Sequence, residues 1–154
     1  HENLNDDDFS HRFIQQCSES GVDPSQITIE ITEREAFQAS TSIYKNLIKL
    51  RMKGVTVSID DFGTGSSTFE KLAKLPFNEI KLDRAFVYGA SEDLKKKSIV
   101  IAICALAKNL NIRIVAEGVE DEVTYKTMRE CGIDISQGFY IDKPMPLEVI
   151  TILK

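Results

Sequence analysis

Acidic residues stand at the ends of several short apolar segments, and one lysine accompanies them. The group consists of Glu30 in ITIEI, Asp60 and Asp61 after VTVSI, Lys81 and Asp83 in EIKLD, and Glu117 after IRIVA. An unpaired buried charge is costly, and one lysine balances the charge of only one acid. Divalent cations supply the missing charge, and ligand sets made only of oxygen favour Mg²⁺ or Mn²⁺ over zinc. The residue types therefore predict a divalent-cation site wherever the acids converge.

The segments that carry these residues alternate with predicted helices. We predict strands at 27–31, 55–59, 79–82, 112–116 and 137–141. We predict helices at 8–21, 34–53, 67–74, 94–109, 122–131 and 147–153. Because strands that alternate with helices form parallel βαβ units, we expect a single α/β domain over residues 1–154.

Side-chain alternation along the predicted strands places the polar groups on one face. In the strand at 55–59 the valines and Ile59 share one face, whereas Ser58 and the following Asp60 share the other. Parallel strands are normally apolar on both faces, so a polar face indicates a function. Ligands of α/β proteins bind beyond the carboxyl ends of the strands. We therefore expect Glu30, Asp60, Asp83 and Glu117 to converge there.

The segment DDFGTG, directly after the second predicted strand, explains how Asp61 can join this group. Gly63 and Gly65 allow backbone angles that are closed to other residues, so the strand can end at once and Asp61 can turn toward the same centre. The GTGSS stretch resembles a phosphate-binding turn, but it lacks the lysine at the spacing that a Walker A motif requires. The glycines thus indicate a permissive turn beside a metal site.

Composition limits the remaining classes of function. The chain has 154 residues and a formal net charge of −5, which argues against general binding of nucleic acids. Cys17, Cys104 and Cys131 are widely spaced without a metal-type pairing, as in proteins of a reducing compartment. The longest apolar run, at 99–107, is too short for a transmembrane segment. We therefore expect a cytoplasmic protein.

Several stretches of the chain resemble one known protein family. They are, in order, IEITERE, SIDDFGTGSSTFEKLAKLPFNEIKLDRAFV, IVAEGVED and SQGFYIDKPMP. Together they are similar to the EAL family, bacterial phosphodiesterases of cyclic di-GMP, and the similarity covers nearly the whole chain from Ile27 onward. The resemblance implies a TIM-type (β/α)₈ barrel with one strand antiparallel to the others. It also implies two Mg²⁺ or Mn²⁺ ions and hydrolysis of cyclic di-GMP to linear pGpG.

The resemblance assigns the acidic residues to two metal positions. Glu30 and Asp60 correspond to ligands of the first metal. Asp61, Asp83 and Glu117 correspond to the region of the second metal. These assignments use the same residues that strand alternation and the DDFGTG turn bring together.

Further roles follow from the same resemblance. Glu117 also matches the general base, and Lys81 matches the lysine that holds the nucleophilic water. Glu33 matches the glutamate that steadies the DDFGTG loop. Glu120 and Gln137 match residues at the periphery of the site, and Gln137 is a candidate for positioning water or substrate.

Several of these residues also have a structural explanation. Glu33 and Glu35 can complement a helix dipole as acids of a first turn, and Glu120 can cap the following helix. Lys81 and Asp83 can form an ion pair that serves only stability. These alternatives make no use of a metal.

The chain departs from the family pattern in one motif. The Glu-Ala-Leu tripeptide, whose glutamate binds metal in the family, does not occur in the sequence. A closed barrel needs eight strands, so we expect about five βα units, the carboxyl-terminal part of the domain, with open sheet edges that favour self-association. The resemblance also implies sensory or regulatory domains in the full-length protein. We expect this chain alone to be inactive; the alternative function is a non-catalytic cyclic di-GMP receptor or a protein-interaction module.

Overall fold

Strands and helices alternate in the computed structural model, which describes residues 3–63 and 75–150. The strands are β1 (Thr28–Thr32), β2 (Thr56–Phe62), β3 (Glu79–Leu82), β4 (Arg113–Glu117) and β5 (Ile135–Gln137). The helices are α1 (Phe9–Ser20), α2 (Glu33–Phe37), α3 (Thr41–Met52), α4 (Arg84–Val87), α5 (Leu94–Asn109), α6 (Glu122–Cys131) and α7 (Leu147–Ile150). The predicted helix at 67–74 and Gly65 lie outside the described residues.

The five strands form one sheet in the order in which they occur along the chain. Every neighbouring pair is parallel, from Thr28 opposite Thr56 in the first pair to Glu117 opposite Gln137 in the last. All carboxyl ends of the strands therefore meet at the same edge of the sheet. The prediction of parallel βαβ units is confirmed.

The apolar face of the strands lies beneath the helices and forms the core. Ile59, Leu82 and Ile114 on the strands, together with Leu50 on α3 and Val100 on α5, are at most 1% exposed. Burial of one such side chain stabilises the fold by roughly 1.5–3 kcal/mol. Because successive side chains of a strand alternate between its two faces, burial of the apolar side chains directs the polar ones to the opposite face.

The helix predicted at 34–53 is two helices, α2 and α3. Thr32 and Glu35 begin α2 with a reciprocal capping box: the Glu35 N–H donates to the Thr32 hydroxyl at 3.3 Å, and the Thr32 N–H donates to the Glu35 carboxylate at 3.0 Å. Ser40 begins α3 by accepting the Ile43 N–H at 3.3 Å. The prediction of one continuous helix was wrong because two capping signals outweigh the helical periodicity.

The fifth strand lies two residues earlier than predicted and ends at Gln137, so the prediction of a strand at 137–141 was wrong. The chain turns at Gly138, where a Cβ atom would lie 2.2 Å from the carbonyl oxygen of Val119. The Tyr140 N–H donates to that same carbonyl at 3.0 Å, and the Ile141 N–H donates to the Gly138 carbonyl at 3.0 Å. Apolar residues after Gly138 therefore form a turn rather than a strand.

Two further expectations concern the cysteines and the membrane. Cys17, Cys104 and Cys131 are buried and free, as predicted for reduced thiols. Burial raises the pKa of the Cys104 thiol to about 11. Within the described residues, every helix is too short or too polar to cross a bilayer.

Candidate active site

Side chains from three strands meet around Lys81 at the carboxyl edge of the sheet. The Lys81 Nζ atom lies 3.0 Å from Oε1 of Glu30, 3.2 Å from Oδ1 of Asp60 and 2.7 Å from Oε1 of Glu117. The acids belong to β1, β2 and β4, and Lys81 belongs to β3, which lies between β2 and β4. The structure thus brings together three of the acids that strand alternation places at this edge.

Lys81 is the most buried member of this group. Its side chain is 9% exposed, against 47% for Glu30, 29% for Asp60 and 21% for Glu117. Burial alone would lower the pKa of Lys81, but the contacts with Glu117, Glu30 and Asp60 outweigh it and raise the pKa above its usual value. Lys81 is therefore a charged group held inside a ring of carboxylates.

Asp60, Asp61 and Glu117 form an acidic group that suits a divalent cation. Each offers one carboxylate oxygen, and these oxygens lie within 4.8 Å of one another. Oδ1 of Asp60 is buried, and its approach to Lys81 is an ion pair without the alignment of a hydrogen bond; no other described residue donates to it. A buried carboxylate oxygen without a donor, next to two further carboxylates, fits an oxygen-coordinated ion.

The backbone at Asp61 explains how two consecutive acids face the same centre. Consecutive side chains of a regular strand point to opposite faces, but Asp61 has a φ of 54°, in the left-handed region that few residues other than glycine adopt. Gly63 follows with a φ of 99°. The expectation that the turn redirects Asp61 agrees with these angles.

Glu33 connects the start of α2 to this turn. Its side chain is 4% exposed, and Oε2 accepts the Gly63 N–H at 2.8 Å. A Cβ atom on Gly63 would lie 2.6 Å from the Phe86 ring, so the turn is also held from the side of α4. These contacts support the loop-stabilising role of Glu33, which remains a prediction, and they show that Glu33 does more than complement the helix dipole.

Within the described residues, Asp83 is not among the carboxylates that contact Lys81. One of its oxygens accepts the Ala85 N–H at 2.8 Å and caps α4. The ion-pair partners of Lys81 are Glu30, Asp60 and Glu117 within the described ranges, so the alternative of a Lys81–Asp83 pair was wrong. The role of Asp83 as a metal ligand remains a prediction.

The loop after β4 is tied to α4 by a residue that the sequence analysis did not select. Arg84 forms an ion pair with Glu120 at 3.0 Å. A Cβ atom on Gly118 would lie 2.7 Å from Cγ of Arg84, so the loop and this side chain pack closely. Asp121, not Glu120, caps the next helix by accepting the Thr124 N–H at 2.7 Å, so the capping explanation of Glu120 was wrong. The position of Arg84 directly after KLD was the available signal.

Gln137 lies at the end of β5, opposite Glu117 in the strand register. It is exposed and next to the turn at Gly138. Its assignment to the periphery of the site and its role in positioning water or substrate remain predictions.

The sequence matches the EAL domain family over residues 1–144. The chain belongs to the EAL domain family. It is 41% identical over 127 residues to the bifunctional diguanylate cyclase/cyclic di-GMP phosphodiesterase MucR of Pseudomonas aeruginosa, a match that covers 82% of this chain and 18% of MucR. It is 38% identical over 130 residues to the oxygen sensor protein DosP of Escherichia coli, a match that covers 84% of this chain and 16% of DosP.

Solved EAL structures share the fold. The PaMucR phosphodiesterase in complex with c-di-GMP matches with a TM-score of 0.82 and 36% identity, over 93% of this chain and 58% of that one. Klebsiella pneumoniae BlrP1, in a calcium and c-di-GMP complex, matches with a TM-score of 0.80 and 31% identity, over 89% of this chain and 35% of that one. The EAL fold is of the TIM-barrel type, and this chain has five parallel strands of it in the described residues.

The chain therefore spans less than a fifth of the length of the two curated relatives and somewhat more than half of the solved PaMucR chain. Relatives in the family are cyclic di-GMP phosphodiesterases by name. These names describe the activity of the relatives and not the activity of the 154 residues alone.

Proposed function

We propose that this chain is the carboxyl-terminal part of a cyclic di-GMP phosphodiesterase that hydrolyses its substrate to linear pGpG. The observation that carries the proposal is the buried Lys81 ammonium in contact with Glu30, Asp60 and Glu117 at the carboxyl edge of a parallel sheet. Relatives that match most of this chain are phosphodiesterases of cyclic di-GMP by name. We also propose that sensory or regulatory domains accompany it in the full-length protein, since DosP is named an oxygen sensor.

The donor set fits two Mg²⁺ or Mn²⁺ ions. Glu30 and Asp60 would hold the first, and Asp61, Asp83 and Glu117 would hold the second. Two such ions, when bound, lower the pKa of an attacking water and stabilise the charge of the leaving oxygen. BlrP1 was solved with calcium and with manganese beside c-di-GMP, and the manganese complex supports the choice of Mn²⁺.

Lys81 and Glu117 have complementary roles in the proposed reaction. The Lys81 ammonium donates a hydrogen bond to the oxygen of the attacking water and so fixes its position. The Glu117 carboxylate, 2.7 Å from that ammonium, accepts the proton that the water loses. A bond forms between the water oxygen and one phosphorus, and the bond from that phosphorus to the 3′ oxygen breaks in line. The 3′ oxygen takes up a proton from solvent, which leaves the linear dinucleotide with a 5′ phosphate.

Residues around this pair keep it in place. Glu33 holds the turn that carries Asp61 through its hydrogen bond with Gly63. Arg84 holds Glu120, and with it the loop that follows Glu117. Gln137 faces the same edge from β5 and positions water or substrate.

A non-catalytic receptor is the second candidate. The sequence lacks the Glu-Ala-Leu tripeptide, whose glutamate is a metal ligand in the family pattern. For the same reason we propose that the 154 residues alone hydrolyse cyclic di-GMP negligibly.

A chimeric protein separates the two candidates. The amino-terminal part of the MucR phosphodiesterase domain, up to the point where the two sequences begin to match, is placed before this chain. The chimera and the 154-residue chain are each incubated with cyclic di-GMP and Mg²⁺ or Mn²⁺, and the products are separated by chromatography. We expect pGpG from the chimera and not from the chain alone. A folded chimera that binds cyclic di-GMP without producing pGpG would favour the receptor, and full activity of the chain alone would contradict the role given to the missing glutamate.

A further inference from the structure

The ammonium of Lys81 forms ion pairs with three carboxylates. One oxygen each of Glu30, Asp60 and Glu117 lies 2.7–3.2 Å from Nζ. A lysine ammonium has three N–H donors and accepts no hydrogen bond. The contact with Asp60 is an ion pair without the alignment of a hydrogen bond, and the three acids come from three different strands.

These carboxylates are among those that the proposed function gives to divalent cations. An ion bound by Glu30 and Asp60 would draw on the same negative charge that Nζ contacts, and it would therefore weaken those contacts. A bound ion would also share the site with the positive charge of Lys81, which is 9% exposed, and like charges repel more strongly in a partly buried site than in water. Binding of the ion and retention of the three Lys81 contacts are therefore in conflict.

We propose that Lys81 is a resident counter-ion that competes with divalent cations for Glu30, Asp60 and Glu117 and thereby sets the cation affinity of the site. The proposal rests on the proposed function for the existence of a cation site, and it adds what limits the occupancy of that site. A weakened affinity makes occupancy depend on the concentration of Mg²⁺ or Mn²⁺.

Lys81 also has an effect that favours cation binding, because it draws the three carboxylates together. The fixed positions of the strands decide which of the two effects on cation affinity is larger. Glu30, Asp60 and Glu117 are carried by strands whose positions are fixed by parallel pairing and by a buried apolar face. Their backbones therefore remain in place without Lys81, and their mutual repulsion then favours a cation more strongly. Removal of the ammonium should raise the affinity.

Binding of Mn²⁺ to the 154-residue chain, measured by isothermal titration calorimetry, tests this. Lys81→Met removes the charge and keeps most of the side-chain length, and we expect at least tenfold tighter binding. Lys81→Arg keeps the charge and should bind within threefold of the unaltered chain. Lys97→Met is the matched control for net charge, because Lys97 pairs with Glu130 at the surface, and it should also bind within threefold.

The proposal would be overturned if a folded Lys81→Met protein bound Mn²⁺ no more tightly than the unaltered chain. It would also be overturned if neither protein bound Mn²⁺. If Lys81→Met does not fold, NMR of the lysine ammonium groups in the unaltered chain gives the answer. Addition of Mg²⁺ should shift the Lys81 signal, identified by its loss in Lys81→Arg, and leave the Lys97 signal unchanged. A Lys81 signal that does not respond to Mg²⁺ would overturn the proposal.

None of these measurements uses cyclic di-GMP. A chimera that fails to produce pGpG would refute the proposed activity and leave the competition intact. A chimera that is active while Lys81→Met binds Mn²⁺ no tighter would refute only the competition.

Discussion

Removal of the Glu33 carboxylate should loosen the turn that carries Asp61. The side chain is 4% exposed, and Oε2 accepts the Gly63 N–H at 2.8 Å. A hydrogen bond to a charged group contributes roughly 1.5–3 kcal/mol, and truncation also leaves a buried donor without its partner. We therefore expect Glu33→Ala to lower the free energy of unfolding by about 2–3 kcal/mol, as measured by urea denaturation.

The local effect is more specific than the loss of global stability. Hydrogen exchange of the Gly63 amide reports directly on the bond that Glu33 accepts. Each 1.4 kcal/mol changes an equilibrium by about tenfold, so exchange at Gly63 should become on the order of ten- to a hundredfold faster in Glu33→Ala. In Glu33→Gln the amide oxygen can still accept the bond, and the increase should be smaller.

Glu35→Ala is the matched control. Glu35 lies in the same first turn of α2 and belongs to the capping box with Thr32. Its loss should cost roughly 0.5–1.5 kcal/mol, the net contribution of one hydrogen bond, and leave exchange at Gly63 near that of the unaltered chain. An unchanged Gly63 exchange rate in Glu33→Ala, or an equal increase in Glu35→Ala, would show that Glu33 serves the helix dipole and not the turn.

Three further outcomes are expected. In the chimera with the amino-terminal part of MucR, Glu117→Gln and Lys81→Ala should each lower the rate of pGpG formation by about 10²–10⁴-fold. Calorimetry should show that the Glu117→Gln chimera still binds cyclic di-GMP. Gly138→Ala should lower the melting temperature more than Gly21→Ala, because its Cβ atom would lie 2.2 Å from the Val119 carbonyl, whereas a Cβ atom on Gly21 has nothing within 4 Å; an equal effect would contradict this packing. The 154-residue chain should self-associate at micromolar concentration, since β1 and β5 each have one unpaired edge within the described sheet; sedimentation as a compact monomer would refute that.

The parallel sheet and the convergence of the acids could be predicted from local patterns. Alternation along each strand depends only on backbone geometry, so the placement of Glu30, Asp60 and Glu117 on one face needed no knowledge of the fold beyond parallel pairing. The break between α2 and α3 was also visible, because Thr32 with Glu35 and Ser40 are capping signals. The helical periodicity was given too much weight there.

Other features depended on contacts between distant segments. The apolar residues after Gly138 satisfy the pattern of a strand, and only the approach of Val119 makes them a turn. Asp83 lies at the expected edge, but aspartate is also a preferred N-cap residue, and α4 begins directly after it. The number of carboxylates that Lys81 contacts depends on side-chain reach across three strands, which no sequence pattern expresses.

The charges of the site bear on the choice between enzyme and receptor. Cyclic di-GMP carries a negative charge on each of its two phosphodiester groups, and the edge of the sheet presents Glu30, Asp60, Asp61 and Glu117 with one lysine among them. Such an edge repels the nucleotide, so cations are needed for either function. A receptor has no proton to transfer, so it has no use for a carboxylate placed 2.7 Å from a buried ammonium. That pair is useful where a water must be held and deprotonated, and this favours the phosphodiesterase.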